Sequence, residues 1–224
     1  MRCLPILAAT LAIIPVSAAP PAQLDASDPA TLARAVQARY DRVRDFTADF
    51  THTYTGGVLK KQVVERGTIQ VKRPGRMRWR YTNPEEKLFV SDGRQIYSYV
   101  PADRQVIVSP MPAEDRATTA ALFLTGKGDL ARDFTAKSAP VPAGAPAGSV
   151  AIELTPRQEQ REYNTLTLVV DRETHMISML AADDRQGGRS AFTFANVKEN
   201  TGLTDKVFEF SIPRGADVIR TGQP

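Results

Sequence analysis

Between Phe46 and Tyr54 apolar and polar side chains alternate: Phe46, Ala48, Phe50, His52 and Tyr54 against Thr47, Asp49, Thr51 and Thr53. A period of two predicts a strand with one face turned to a core. The rhythm returns over 76–81, with Arg76, Arg78 and Arg80 on one face and Met77, Trp79 and Tyr81 on the other. Segments 58–72, 88–91, 95–100 and 106–109 also read as strands, and Asp92-Gly93 between two of them is a hairpin signal. Later strands are expected at 150–154, 163–170, 176–181, 189–197 and 207–212. Helical spacing occurs twice. Leu32, Val36, Tyr40 and Val43 make one apolar stripe, with Ser27 or Asp28 as N-cap and Pro29 in the first turn. Residues 113–125 predict a shorter helix, with Leu122, Phe123 and Leu124 near its end and Gly126 closing it. The Pro/Ala/Gly stretch 138–149 has no period and reads as a surface loop between strands. About ten short strands at barrel-like spacing, one leading helix and one mid-chain helix predict a mainly β fold.

The first residues have a different character. Arg2 precedes an apolar run from Leu4 to Val16, which ends in Val16-Ser17-Ala18. That is the pattern of a secretory signal cleaved after Ala18, and the run is too short for a bilayer span. The chain is therefore expected to divide into a signal peptide at 1–18, a flexible arm at 19–27, one domain at 28–218 and a disordered tail at 219–224. Residues 214–224 together are expected to be disordered. The sole cysteine, Cys3, leaves with the signal and has no apolar stretch before it, unlike a lipid-attachment cysteine. The mature chain then has neither a disulfide framework nor a thiolate metal site.

Lys and Arg number 29 against 25 Asp and Glu, and the excess is local. From Lys60 to Arg80 run Lys60, Lys61, Arg66, Lys72, Arg73, Arg76, Arg78 and Arg80, with Glu65 as the lone acid. Alternation places the arginines and the large apolar side chains of 76–81 on opposite sides, so cations and rings do not share the surface that nucleic acid requires. Nucleic-acid binding is excluded on that ground and by the secreted destination. Catalytic chemistry has few places to reside. The two histidines, His52 and His175, fall on a strand's apolar phase and in a turn, where satisfied structural roles are expected. No nucleophile elbow, zinc-protease motif or dinucleotide fingerprint is present. Gly126-Lys127-Gly128 lacks the earlier glycine and the Ser/Thr of a phosphate loop. The adjacent acids Glu85-Glu86 and Asp183-Asp184 flank turns. The chain is therefore read as a non-enzyme without cofactor or metal. Its many inward apolar side chains either fill a small barrel or line a hollow propped open by the helices, and composition does not choose.

Four blocks carry a family resemblance: Phe46-Thr47-Ala48-Asp49-Phe50-Thr51, then Val71-Lys72-Arg73-Pro74-Gly75-Arg76-Met77-Arg78-Trp79, then Leu88-Phe89-Val90-Ser91-Asp92-Gly93-Arg94-Gln95-Ile96-Tyr97, and finally Phe208 to Val218. In this order, from about residue 30 to 218, the chain resembles the LolA family of periplasmic lipoprotein carriers. The resemblance implies an incomplete, unclosed antiparallel β-barrel covered by the N-terminal helix and a mid-chain helical lid. It also implies a monomeric periplasmic chaperone. Such a chaperone receives lipid-modified proteins from the inner-membrane LolCDE transporter and delivers them to the outer-membrane receptor LolB. The missing lipid-attachment cysteine separates the chain from that receptor. By the same resemblance Arg73 gates the lid, bonding helix or loop carbonyls until lipid enters. Met77 stands where the family often has an aromatic residue. Phe46, Phe50, Met77, Trp79, Phe89, Leu122 and Phe123 are the expected acyl-chain contacts. Two other readings remain open: an envelope-assembly protein of the same fold, and a carrier of another lipid such as a glycolipid.

Overall fold

The computed structural model describes residues 28–111, 124 and 128–222. The expected helix 113–125, including Leu122 and Phe123, therefore lies outside the described residues apart from Leu124, as does the N-terminal segment through residue 27. α1 spans Pro29–Tyr40, with Asp28 as its N-cap accepting from the Thr31 N–H. The side-chain bond satisfies one of the donors that the first turn leaves free.

Twelve strands follow: β1 Asp45–Thr55, β2 Gln62–Lys72, β3 Arg76–Asn83, β4 Lys87–Asp92, β5 Gln95–Val100, β6 Gln105–Pro110, β7 Phe134–Ala139, β8 Ser149–Pro156, β9 Thr165–Asp171, β10 Ile177–Asp183, β11 Arg189–Glu199 and β12 Asp217–Arg220. A short helix, α2 (Leu130–Asp133), leads into β7. The strands form one sheet in the order β12-β6-β5-β4-β3-β2-β1-β11-β10-β9-β8-β7. It consists of two antiparallel meanders, β1 to β6 and β7 to β11, joined where β1 pairs with β11. The two end strands do not meet, so the barrel is unclosed.

One face of the sheet carries the principal core. Phe46, Ala48 and Phe50 of β1, Ile69 and Val71 of β2, and Met77, Trp79 and Tyr81 of β3 are buried there in the alternating phase that the sequence predicts. α1 lies over the β7–β8 end of this face and buries Leu32, Ala33, Val36 and Tyr40. The Tyr40 hydroxyl accepts from the Ile177 N–H, at 3.2 Å, tying the helix end to β10.

The opposite face carries the arginines and a smaller apolar cluster. A 3-10 turn at Asp205–Phe208 crosses β3 and β4 there. Phe208 is buried, as are Val90, Val106 and Val108. Arg78 donates to the Val207 carbonyl at 3.2 Å, Lys72 meets Asp205 at 2.6 Å, and Phe210 packs on Tyr97 and Tyr99. Asp45, buried at the start of β1, anchors the beginning of this crossing segment. Its carboxylate accepts from the Thr201 N–H (2.7 Å), the Thr201 hydroxyl (2.9 Å) and the Gly202 N–H (3.1 Å).

Three expectations change. The strand expected at 207–212 is instead the 3-10 turn and an extended strap, because its neighbours present a finished face and not a free edge. The stretch expected to lack structure contains β12, which pairs parallel with β6 and so reaches into the expected tail at 219–224. β7, which the sequence reading omitted, is an edge strand of pattern Phe-Thr-Ala-Lys-Ser-Ala with little burial to reveal it. The Pro/Ala/Gly stretch connects β7 to β8.

Candidate functional site

Among the described residues, each face of the sheet carries a hollow. The larger, about 960 Å³, lies on the arginine face among Asp49, Arg78, Arg80, Glu86 and Lys198. Its charged walls suit water, ions or a polar partner better than hydrocarbon, since charge transferred against an apolar surface loses its hydration. The smaller, about 310 Å³, opens on the core face and is walled by Met77, Trp79 and Tyr81 of β3, Phe89 and Ile96 of β4 and β5, and Leu180, Ala182 and Phe192 of β10 and β11. Tyr163, Glu162 and Ser190 complete it. An apolar wall with a few polar groups is the usual make-up of a small-molecule site. Size favours the first hollow and chemistry the second, and chemistry decides.

β3 is the reason this cavity has an aromatic wall. Its alternation sends Met77, Trp79 and Tyr81 inward as a contiguous row, and register places Phe89 directly opposite Trp79. Phe192 closes the row from β11, with its ring 5.0 Å from Trp79 at an interplanar angle of 64°. Phe50 stands behind this wall. It packs edge-to-face on Trp79 at 5.0 Å and on Tyr81 at 4.8 Å, which holds both rings in place. Of the side chains singled out from sequence, Met77, Trp79 and Phe89 line the cavity, whereas Phe46 and Phe50 pack in the core around it. Leu122 and Phe123 lie outside the described residues. The reading missed Tyr81 and Phe192, although each follows from its strand's phase: Tyr81 continues the row of Trp79, and Phe192 shares its face with Phe194.

Burial keeps the phenols of this wall protonated. Desolvation raises the pKa of Tyr81 well above the ordinary tyrosine value and pushes Tyr163 up to about 12. At one end of the cavity sits a chain of polar side chains. Lys87 Nζ donates to Glu65 Oε1 at 2.7 Å, and His52 Nδ1 stands 3.0 Å from Glu65 Oε2. His52 Nε2 lies 2.8 Å from Ser190 Oγ. Burial opposes the charge on Glu65, but the bonds from Lys87 and His52 outweigh it and hold the carboxyl below the ordinary glutamate range.

Arg73 stands apart from the cavity, at the turn between β2 and β3 beneath the end of α1. Its backbone N–H donates to the Arg44 carbonyl at 2.8 Å. The guanidinium lies 6.0 Å from the Tyr40 ring centroid and 3.9 Å from Asp41 Oδ1. Nη2 is buried and finds no hydrogen-bond partner among the described residues. Desolvation lowers the Arg73 pKa, the mark of a cation held where its hydration is incomplete.

Comparison with known proteins places these features in a family. The model of the outer membrane lipoprotein carrier protein LolA matches residues 41–211. An outer-membrane lipoprotein carrier protein of Chromohalobacter salexigens is 30% identical over 191 residues, spanning 85% of this chain and 87% of its own. One from Hahella chejuensis is 32% identical over 182 residues, spanning 80% and 83%. Among solved structures, an uncharacterized conserved protein from Thermus thermophilus superposes with a TM-score of 0.50 at 15% identity, covering 85% of this chain and 97% of that one. That likeness concerns the fold alone.

Proposed function

The chain belongs to the LolA family of outer-membrane lipoprotein carrier proteins, and we propose that it carries the acyl chains of lipid-modified proteins through the periplasm in its apolar cavity. The observation that carries the reading is a row of large apolar side chains on the inner sheet face that leaves a hollow where a filled barrel would pack solid. In this reading the protein is a chaperone and not an enzyme. It enters the periplasm behind a cleaved signal, takes cargo from the LolCDE transporter and yields it to the receptor LolB.

Volume sets the mechanism. A methylene fills about the space of a water molecule, roughly 30 Å³, so a chain of about sixteen carbons needs on the order of 500 Å³. The cavity of about 310 Å³ is on the scale of one such chain and not of several. Loading more than one chain would therefore require the elements over the core face to move outward. The driving force is sufficient, because each buried CH₂ contributes about 0.8 kcal/mol. Met77, Trp79 and Phe89 would contact the chain directly; Leu122 and Phe123, the further contacts that the family resemblance implies, lie outside the described residues. Phe46 and Phe50 would support that wall.

Arg73 is the gate in this scheme. Its five donors form a rigid fork that can hold several carbonyls at once, and Nη2 has capacity to spare among the described residues. Closing the cover would satisfy the guanidinium, and an entering acyl chain would displace those bonds. Release then needs only a receptor with a better-matched apolar surface.

Mass spectrometry of the protein isolated from periplasm under native conditions tests the proposal. Acylated peptides or intact lipoproteins should accompany it. Recovery of glycolipid alone, or of an empty protein from cells actively exporting lipoproteins, would overturn it.

A further inference from the structure

We infer that Ser190 reads how an acyl chain is attached, accepting the N–H of an amide-linked chain seated in the cavity. This rests on the carrier reading and adds to it the chemical class of the bound group. The inference begins with Glu65. Its two carboxylate oxygens are both engaged, one by Lys87 at 2.7 Å and the other by His52 Nδ1 at 3.0 Å. An ionised carboxylate can only accept, so Nδ1 carries the proton, and in that tautomer Nε2 is an acceptor. Ser190 Oγ, 2.8 Å from Nε2, must then donate its single proton to the ring.

A hydroxyl has one donor and two acceptor lone pairs. With the proton committed to His52, Ser190 presents lone pairs alone to the cavity that it lines. No other partner engages Ser190 Oγ among the described residues, and the arrangement is rigid. The imidazole stacks on Phe192 at 4.2 Å and 5° and meets Tyr81 edge-on at 6.2 Å. Tyr81 and Tyr163 line the same cavity, and a phenol hydroxyl can donate to a carbonyl oxygen. A carbonyl is common to esters and amides, so the phenols do not discriminate. The N–H exists only in the amide, and half-buried Ser190 offers it an acceptor within the cavity, whereas the carboxylate of the lining, Glu162, stands exposed at the rim. A site built to pair a donor also penalises the molecule whose donor is left unpaired, which is how such contacts select.

The test uses the full-length mature protein with a bound apolar fluorescent dye, 1-N-phenylnaphthylamine. Two competitors, N-methyldodecanamide and N,N-dimethyldodecanamide, share the chain and the carbonyl and differ by the N–H. Wild type should bind the secondary amide about fivefold more tightly, the equivalent of one net hydrogen bond. The preference should fall to parity or invert in Ser190→Ala, where the N–H is buried unpaired. It should survive in Ser190→Thr, which keeps the hydroxyl. Equal affinities in wild type, or a preference that persists in Ser190→Ala, would overturn the inference while leaving the carrier reading intact. If neither amide displaces the dye, the acyl-binding cavity itself is refuted and the inference with it.

Discussion

Consider two truncations of similar chemistry, Met77→Ala and Leu154→Ala. Both remove a medium-sized apolar side chain from a strand of the same sheet, and neither site is more than slightly exposed, at 6% and 0% respectively. They differ in what lies beside them. Leu154 is enclosed on every side, whereas Met77 forms part of the wall of the 310 Å³ cavity. Truncating a buried Leu or Met costs about 2–5 kcal/mol, and the spread tracks the size of the void left in otherwise complete packing. At Leu154 the void is new and sealed, which places the cost at about 4 kcal/mol. At Met77 one side already has no packing partners to lose, so the cost should be about 2 kcal/mol. For a chain of this length the difference corresponds to roughly 4–8 °C in Tm. Thermal unfolding by circular dichroism reads the stability, and titration with an apolar dye reads the cavity. Met77→Ala should unfold at the higher temperature of the two and take up dye at least as well as wild type. If the two variants are equally destabilised and neither Met77→Ala nor wild type takes up dye, the region around Met77 is solid core and the proposed acyl site is refuted.

Two further outcomes follow from charges held in special surroundings. Arg73 is desolvated, and among the described residues it is only loosely paired, so Arg73→Leu should leave the stability of the empty protein unchanged or slightly higher. It should still load lipoprotein but fail to release it to the receptor in a two-component transfer assay; normal transfer would remove Arg73 from the gate. Asp45 behaves oppositely: burial opposes its charge, but the bonds from Thr201 and Gly202 outweigh it and hold the carboxyl below the ordinary aspartate range. Because the folded pKa is depressed, the stabilisation is fully present above the unfolded value of about 3.9 and is lost as pH falls through the folded value. Asp45→Asn should cost about 2 kcal/mol at pH 7 and flatten the acid limb of a urea-midpoint profile; an unchanged profile would show that the strap is held by other contacts.

Where a strand carries a two-residue rhythm and buries one face, its position and orientation could be read directly. β1 and β3 were legible for that reason, as was the separation of Arg76, Arg78 and Arg80 from Met77, Trp79 and Tyr81. Phase shows which way a side chain points but not whether its neighbours fill the space beyond it. Hence Phe50 and Trp79 looked alike in sequence, yet one is packed among rings and the other borders a hollow. The chain Lys87–Glu65–His52–Ser190 draws on β4, β2, β1 and β11, so no local spacing announces it. β12 was illegible for another reason. All four of its residues are exposed, and what orders it is the free edge of β6 and not a pattern of its own.

An unclosed sheet also has two flanks on which another chain could add a strand, and a carrier travelling through a crowded compartment must survive that hazard. One flank is β12, only four residues long and bracketed by Asp217 and Arg220, too brief to template a stable foreign strand. The other is β7, which carries Lys137 and runs into a turn containing Pro140, Pro142 and Pro146, residues that interrupt backbone pairing. An unclosed sheet thus does not leave the molecule free to polymerise along its own margins.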